Sequence, residues 1–247
     1  MRSLFLTAAL AMTAACNAGA QGGAPGGGSE SAGARSSRSF QVGGFDKIDL
    51  TGSPDVVVAV GGQPSVRAEG DAADLERLDI AVVDGELRIG MRPGSGHWFG
   101  SHRGITVHVT VPSLQAASIS GSGDINIDRV QGQAFTATVG GSGDLAVREL
   151  RVGQASFALN GSGGISAAGG AQRASANLNG SGDLRLGGFE TADATVALIG
   201  SGDVALRATG TAQVQLTGSG DIAIAGGARC TVSKTGSGDV TCGGPAA

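Results

Sequence analysis

The chain has 247 residues, of which 46 are glycine, 40% hydrophobic, 3% aromatic and 15% charged, and its formal net charge is −4. Its 17 Lys and Arg residues are scattered through a mildly acidic sequence, which excludes the basic patch that a nucleic-acid-binding protein needs.

Residues 1–16 begin with Arg2, run apolar from 4 to 15 and reach Cys16. A positive start, a short apolar stretch and small residues ahead of a cut describe a secretory signal, and the run is too short to span a bilayer. Thr13-Ala14-Ala15-Cys16 resembles a bacterial lipobox, with Thr13 where Leu is usual. The resemblance implies a signal peptide over 1–15 and lipid on Cys16; cleavage after Ala18 or Ala20 is the alternative. Asn17 stands where inner-membrane retention would favour Asp, which by the same resemblance implies the outer membrane, with either face open. Residues 16–38 are mostly Gly, Ser, Ala, Gln and Pro, the composition of a flexible tether spanning on the order of 25 Å.

Residues 39–247 read as one body. Ile48, Leu50, Val56 and Val58 flank Gly52-Ser53-Pro54-Asp55, a degenerate form of a bend that recurs later. From 66 to 91 the pattern loosens, with Asp84-Gly85 marking a two-residue hairpin between apolar runs. An irregular first portion suits the open end of a repeat array, which must not expose a bare strand edge. Residues 92–104 break the pattern with a loop holding His97, Trp98, Phe99 and His102, and 105–111 then alternate cleanly.

From about residue 115 the sequence becomes periodic. Gly121-Ser122-Gly123-Asp124 recurs at Gly141, Gly161 (with Gly164 in place of Asp), Gly180, Gly200, Gly218 and Gly236. The copies start 20, 20, 19, 20, 18 and 18 residues apart. Apolar residues stand two and four places before, and four and six places after, the first glycine of each copy, with polar or tiny residues between them. Period-two alternation on both sides of a glycine bend means strand, bend and strand. A second set of glycines (132, 153, 170, 188, 210, 227) marks a second corner. The fold class is therefore all-β: a parallel β-solenoid, or single-stranded β-helix, with coils of about 18–20 residues and like residues stacked roughly 4.8 Å apart. Its corner glycines are expected to supply positive φ and close backbone approach. On that ground Val at Gly182 or Gly202 should cost several kcal/mol.

At the far end Lys234 replaces an aliphatic residue of its column, which discourages end-to-end stacking. Cys230 and Cys242 both fall in inward columns of the last coil, so a disulfide clamping that coil is expected, two buried free thiols being the alternative.

Repeated Ser-Gly-Ser-Gly-Asp copies, Phe45-Asp46-Lys47-Ile48 ahead of the first bend, and the Val111-Pro112-Ser113-Leu114 lead-in resemble the head GIN-domain family, proposed heads of auto-transporter adhesins common among envelope lipoproteins. The likeness covers roughly 39–243. It implies a β-solenoid and an envelope location, and adhesion as the activity.

Three features could carry chemistry. The first is the column Asp124, Asp144, Asp183, Asp203, Asp221 and Asp239. Stacked carboxylates suit calcium, whereas Asp in a bend also bonds nearby backbone N–H groups, and turn chemistry is the favoured reading because Gly164 interrupts the column. No other cofactor is expected. The second is the loop with His97, Trp98, Phe99 and His102, whose aromatics could stack on a sugar or cap the solenoid end; zinc on His97, His102 and His108 lacks a spacing rule. The third is a pair of column aspartates acting as a polysaccharide lyase or hydrolase, for which no Arg, Lys or aromatic cluster in the sequence sets one coil apart. The favoured function is a non-catalytic binding or structural module. Its expected partners are the membrane through the lipid, envelope glycans or another envelope protein, and a second copy of the chain, but no nucleic acid.

Overall fold

The computed structural model describes residues 35–92 and 104–244. The expected signal peptide, Cys16, most of the tether and the His97–His102 loop lie outside the described residues. The first part comprises β1 (Arg35–Phe40), β2 (Lys47–Gly52), β3 (Asp55–Val60), β4 (Ser65–Asp71), α1 (Ala72–Arg77), β5 (Leu78–Val83), β6 (Glu86–Met91), β7 (Thr106–Val111), β8 (Ala116–Gly121) and β9 (Ile125–Ile127). The long strands β10 (Val130–Gly141), β11 (Asp144–Gly161), β12 (Gly164–Gly180), β13 (Asp183–Gly200) and β14 (Val204–Gly218) follow, then β15 (Ile222–Ala225), β16 (Arg229–Gly236) and β17 (Val240–Gly244).

From β8 onward each coil lies parallel on the one before it. Val139 is in register with Leu159, Leu159 with Leu178, Leu178 with Leu198 and Leu198 with Leu216. The four apolar columns read from the sequence are the core: Ile125, Leu145, Leu159, Leu184, Leu198 and Val214 are each at most 1% exposed. Burying one such side chain contributes about 1.5–3 kcal/mol, so the ladders carry the stability. The coil of β11 has three inward runs rather than two. These are Leu145 and Val147, then Leu150 and Val152, then Ala155, Phe157 and Leu159. A register irregularity between Val147 and Leu150 makes the additional corner. The middle run is only three residues long, too short to show a period in the sequence.

The corner backbone explains the repeated glycines. The first glycine of each copy has positive φ, as in Gly180 (+137°) and Gly200 (+133°), and its carbonyl accepts hydrogen bonds from the next coil. Ser142 N–H and Gly143 N–H both donate to the Gly121 carbonyl, at 2.9 and 3.2 Å. The second glycine of each copy, at its third position, does not have positive φ, which corrects the expectation for Gly182 and Gly202. It must be glycine because it stacks on its counterpart one coil earlier: a Cβ on Gly202 would stand 1.8 Å from the Gly182 carbonyl oxygen. Of the second glycine set, only Gly227 has positive φ.

The N-terminal rungs are laid out of chain order. β2 pairs with β6 on one side and β8 on the other, and β3 with β7 and β9, all parallel. The chain therefore makes the first bend, steps outward to build the rung of β6 and β7, and returns to β8. The degenerate bend belongs to the ladder, since Ser122 N–H and Gly123 N–H donate to the Gly52 carbonyl. Antiparallel strands close this end: β5 on β6, β4 on β7 and β1 on β4. Asp84 (φ 52°) and Gly85 (φ 77°) turn the β5–β6 hairpin as the Asp-Gly pair predicts. One helical turn, α1, occupies part of the stretch whose pattern was loose; Ala, Leu, Glu and Arg favour it, and its Leu75 is buried beside Gly70. At the other end Cys230 and Cys242 form a disulfide, with Cα atoms 6.5 Å apart, across the final coil. Lys234 pairs with Asp239 at 3.5 Å on that exposed coil.

Candidate functional site

The aspartates sit at the start of the strand that leaves each Gly-Ser-Gly corner, where the chain must satisfy one outward-facing N–H per coil. Wherever one aspartate follows another in the column, the carboxylate accepts the backbone N–H of the next aspartate along the axis. Asp144 N–H donates to Asp124 Oδ1 at 2.8 Å, Asp221 N–H to Asp203 Oδ1 at 3.0 Å, and Asp239 N–H to Asp221 Oδ1 at 2.7 Å. Weaker versions join Asp203 to Asp183 (3.3 Å) and Asp124 to Asp55 (3.4 Å), which extends the column to the first bend. The carboxylate is an inter-coil acceptor rather than a bond within its own bend.

Gly164 shows what replaces it. Asp183 N–H there turns to the Gly163 carbonyl at 3.2 Å, and Gly164 N–H to the Gly143 carbonyl at 3.4 Å. The missing side chain leaves room for Arg185, whose Nη1 lies 3.5 Å from where a Gly164 Cβ would stand, while Asp144 Oδ1 would be 2.8 Å from it. Arg185 also pairs with Asp183 at 2.7 Å. One coil is thus set apart by a basic residue, contrary to the sequence reading. The pair is largely solvated, its side chains 67% and 35% exposed, so it adds little stability. Among the described residues no group of three or more His, Cys, Asp or Glu side chains is placed to hold a metal ion.

A distinct expectation follows for this column. Asp221→Asn keeps an oxygen that can accept the Asp239 N–H and should change stability by only a few tenths of a kcal/mol, whereas Asp221→Ala should cost about 1 kcal/mol. Denaturant titrations with calcium and with chelator check this; a calcium-dependent stability lost in Asp221→Asn would mean that the charge holds an ion.

The flanks of the His97–His102 loop are placed even though the loop itself lies outside the described residues. Ile89, before the loop, is in register with Leu50, and Thr106, after it, with Asp55. His108 is exposed on β7, in register with Val57 and Arg67.

Shallow grooves run over the outer surface of the described residues. One, of about 440 Å³, is lined by Val57, Asn126, Asp128, Ala146, Arg148 and Ala168, among others. A second, of about 310 Å³, is lined by Thr136, Gln154, Ser156, Arg173, Ser175 and Thr195, with neighbouring backbone. The outward columns that make this second groove lie between the inward columns and are not among the features expected to carry chemistry. Their signal is present in the sequence as a run of Ser and Thr five places before the glycine.

The sequence profile of the family described as "Putative auto-transporter adhesin, head GIN domain" matches residues 44–228. A search of curated proteins finds no match. Among solved structures, a putative adhesin from Bacteroides fragilis superposes with a TM-score of 0.79 at 22% identity, covering 84% of this chain and 96% of that one. A putative lipid binding protein from Parabacteroides distasonis superposes with a TM-score of 0.66 at 22% identity, with the same coverage. A putative adhesin from Parabacteroides merdae gives 0.67 at 19% identity, covering 84% and 95%. At these identities the likeness speaks for the fold.

Proposed function

Since the chain belongs to the head GIN-domain family, we propose that it is a non-catalytic adhesion and binding module of the bacterial envelope. In this reading residues 1–15 export it, lipid on Cys16 holds it at the outer membrane, and 16–38 tether the solenoid away from the lipid. The observation that carries the non-catalytic part is the aspartate column. The carboxylates of Asp124, Asp183, Asp203 and Asp221 repeat one structural task, accepting an N–H from the next coil, and the Arg185 pair that sets Asp183 apart is solvated, whereas an acid–base pair needs groups made unlike by burial or close partners. A rigid array of equivalent coils suits binding over an extended surface.

Cys16→Ser tests anchor and adhesion together. The substituted chain should leave the membrane fraction for the soluble one, and cells making it should lose the adhesion conferred by the wild-type chain. Continued sedimentation with membranes would contradict the lipid anchor. Adhesion at the wild-type level by cells that had released the chain would contradict the adhesive role.

A further inference from the structure

The strand leading into each Gly-Ser-Gly corner turns three side chains outward, at 116–120, 136–140, 156–160, 175–179, 195–199, 213–217 and 231–235. None of these outward positions is buried and none carries a charge: they hold Ser, Thr, Asn and Gln, interrupted by Ala116, Gly140, Ala158, Ala197 and Ile199. The same columns on the two outermost rungs hold Glu86 and Arg88, and Lys47 and Asp49. Charge also resumes at the rim, where Arg173 and Asp193 stand in register, and on the next face with the aspartate column. The seven-strand face is therefore an uncharged field with charged borders.

Its hydroxyls are aligned along the axis. Thr136, Ser156, Ser175 and Thr195 are in register on four successive coils, and Ser175 Oγ donates to Ser156 Oγ at 3.1 Å. They form the floor of the groove of about 310 Å³, with Gln154 and Arg173 at its edge. Consecutive strands of the face are about 4.8 Å apart.

Hydroxyl and amide groups both donate and accept, so they can replace water around a ligand that does the same. A charged ligand laid on this face would lose its hydration without an opposite charge to replace it. Ile199, 55% exposed in the outward column next to the Gly200 corner, offers an apolar contact for the C–H face of a ring. Identical contacts repeated coil after coil suit a polymer that itself repeats, because weak contacts on one chain combine. We propose that this face binds a neutral polysaccharide laid along the solenoid axis. The proposal rests on the binding-module reading and names its ligand class.

The test is retardation of the full chain in native gels containing dextran, amylose or mannan, with anionic alginate alongside and binding to intact bacterial cells measured in parallel. Ser156→Glu/Ser175→Glu places two charges in the groove, Asn160→Lys/Asn179→Lys places two on the far column of the same face, and Ala205→Glu/Ala223→Glu places two on a different face. At least one neutral polymer should retard the wild-type chain, little affected by salt, and alginate should not. Both face variants should bind it about tenfold more weakly or worse, and the other-face variant like wild type. Because the two face variants carry opposite charges, a folding defect in one leaves the other to decide. Equal retardation of a folded face variant and wild type would overturn the proposal. Binding to cells without retardation by any neutral polymer would overturn the glycan assignment while leaving the binding module standing, and binding to neither would overturn both.

Discussion

Gly202→Ala is expected to unfold the central coils or to cost at least about 3 kcal/mol, the range of severe steric and backbone defects. The new Cβ would stand 1.8 Å from the Gly182 carbonyl oxygen and 3.0 Å from the Gly182 carbonyl carbon. Those atoms belong to a backbone fixed by hydrogen bonds to the coil on its other side, so it cannot step aside as a flexible side chain would. The coil above is equally tight, since Gly220 sits with its own would-be Cβ 1.9 Å from the Gly202 carbonyl oxygen. A coil that cannot seat fails to support both neighbours, because each rung is stable only against the next. Gly132→Ala is the control: a Cβ there meets nothing within 4 Å and its φ is not positive, so it should be neutral within about 0.5 kcal/mol. Denaturant unfolding of the two variants reads the contrast, and similar midpoints would show that corner stacking does not hold the coils together.

Phe157→Ala should be the most costly single truncation in the core, at about 3–5 kcal/mol. Phe157 is fully buried and stands in a column where its neighbours in register are Ala137 and Ala176. The small residues on either side give its ring room, and Phe189 meets that ring edge-on at 5.4 Å with an interplanar angle of 84°. Truncation leaves a void that parallel strands locked in register cannot close, and forfeits an aromatic pair besides. Leu198→Ala, whose neighbours in register, Leu178 and Leu216, are both aliphatic, should fall nearer 2–3 kcal/mol. A loss below about 1 kcal/mol for Phe157→Ala would mean the coil collapses around the void, and the picture of a rigid core would fail.

The inward ladders were legible because each coil repeats the same short pattern: Ile119, Val139, Leu159, Leu178, Leu198 and Leu216 fall at one offset and share one buried column. The cysteine pair was legible for the same reason, each thiol lying at a known inward offset. What escaped has no local signal. The rung of β6 and β7 lies outside β2 and β3, a pairing between distant segments that alternation cannot order. The run Leu150 and Val152 is too brief to show a period, so a corner was missed. Positive φ falls on the first glycine of each copy rather than on the second, Gly182 or Gly202; sequence shows that a corner needs glycine without separating left-handed backbone from close stacking. In the candidate site, the aspartates were recognisable as turn residues, but their acceptor role between coils depends on register. Arg185 reaching the gap at Gly164 depends on a side chain crossing from one coil to the next.

The central claim is that a rigid solenoid binds an extended surface without altering it. Its most direct test is a binding isotherm of the labelled full chain on intact bacterial cells, with the size of the cell-surface polysaccharide followed over the same incubation. The account predicts saturable binding that chelator does not abolish, with the polymer left at full length. Shortening of the polymer that disappears in an Asp144→Asn/Asp183→Asn variant would contradict it, and would make the aspartate column a catalytic site.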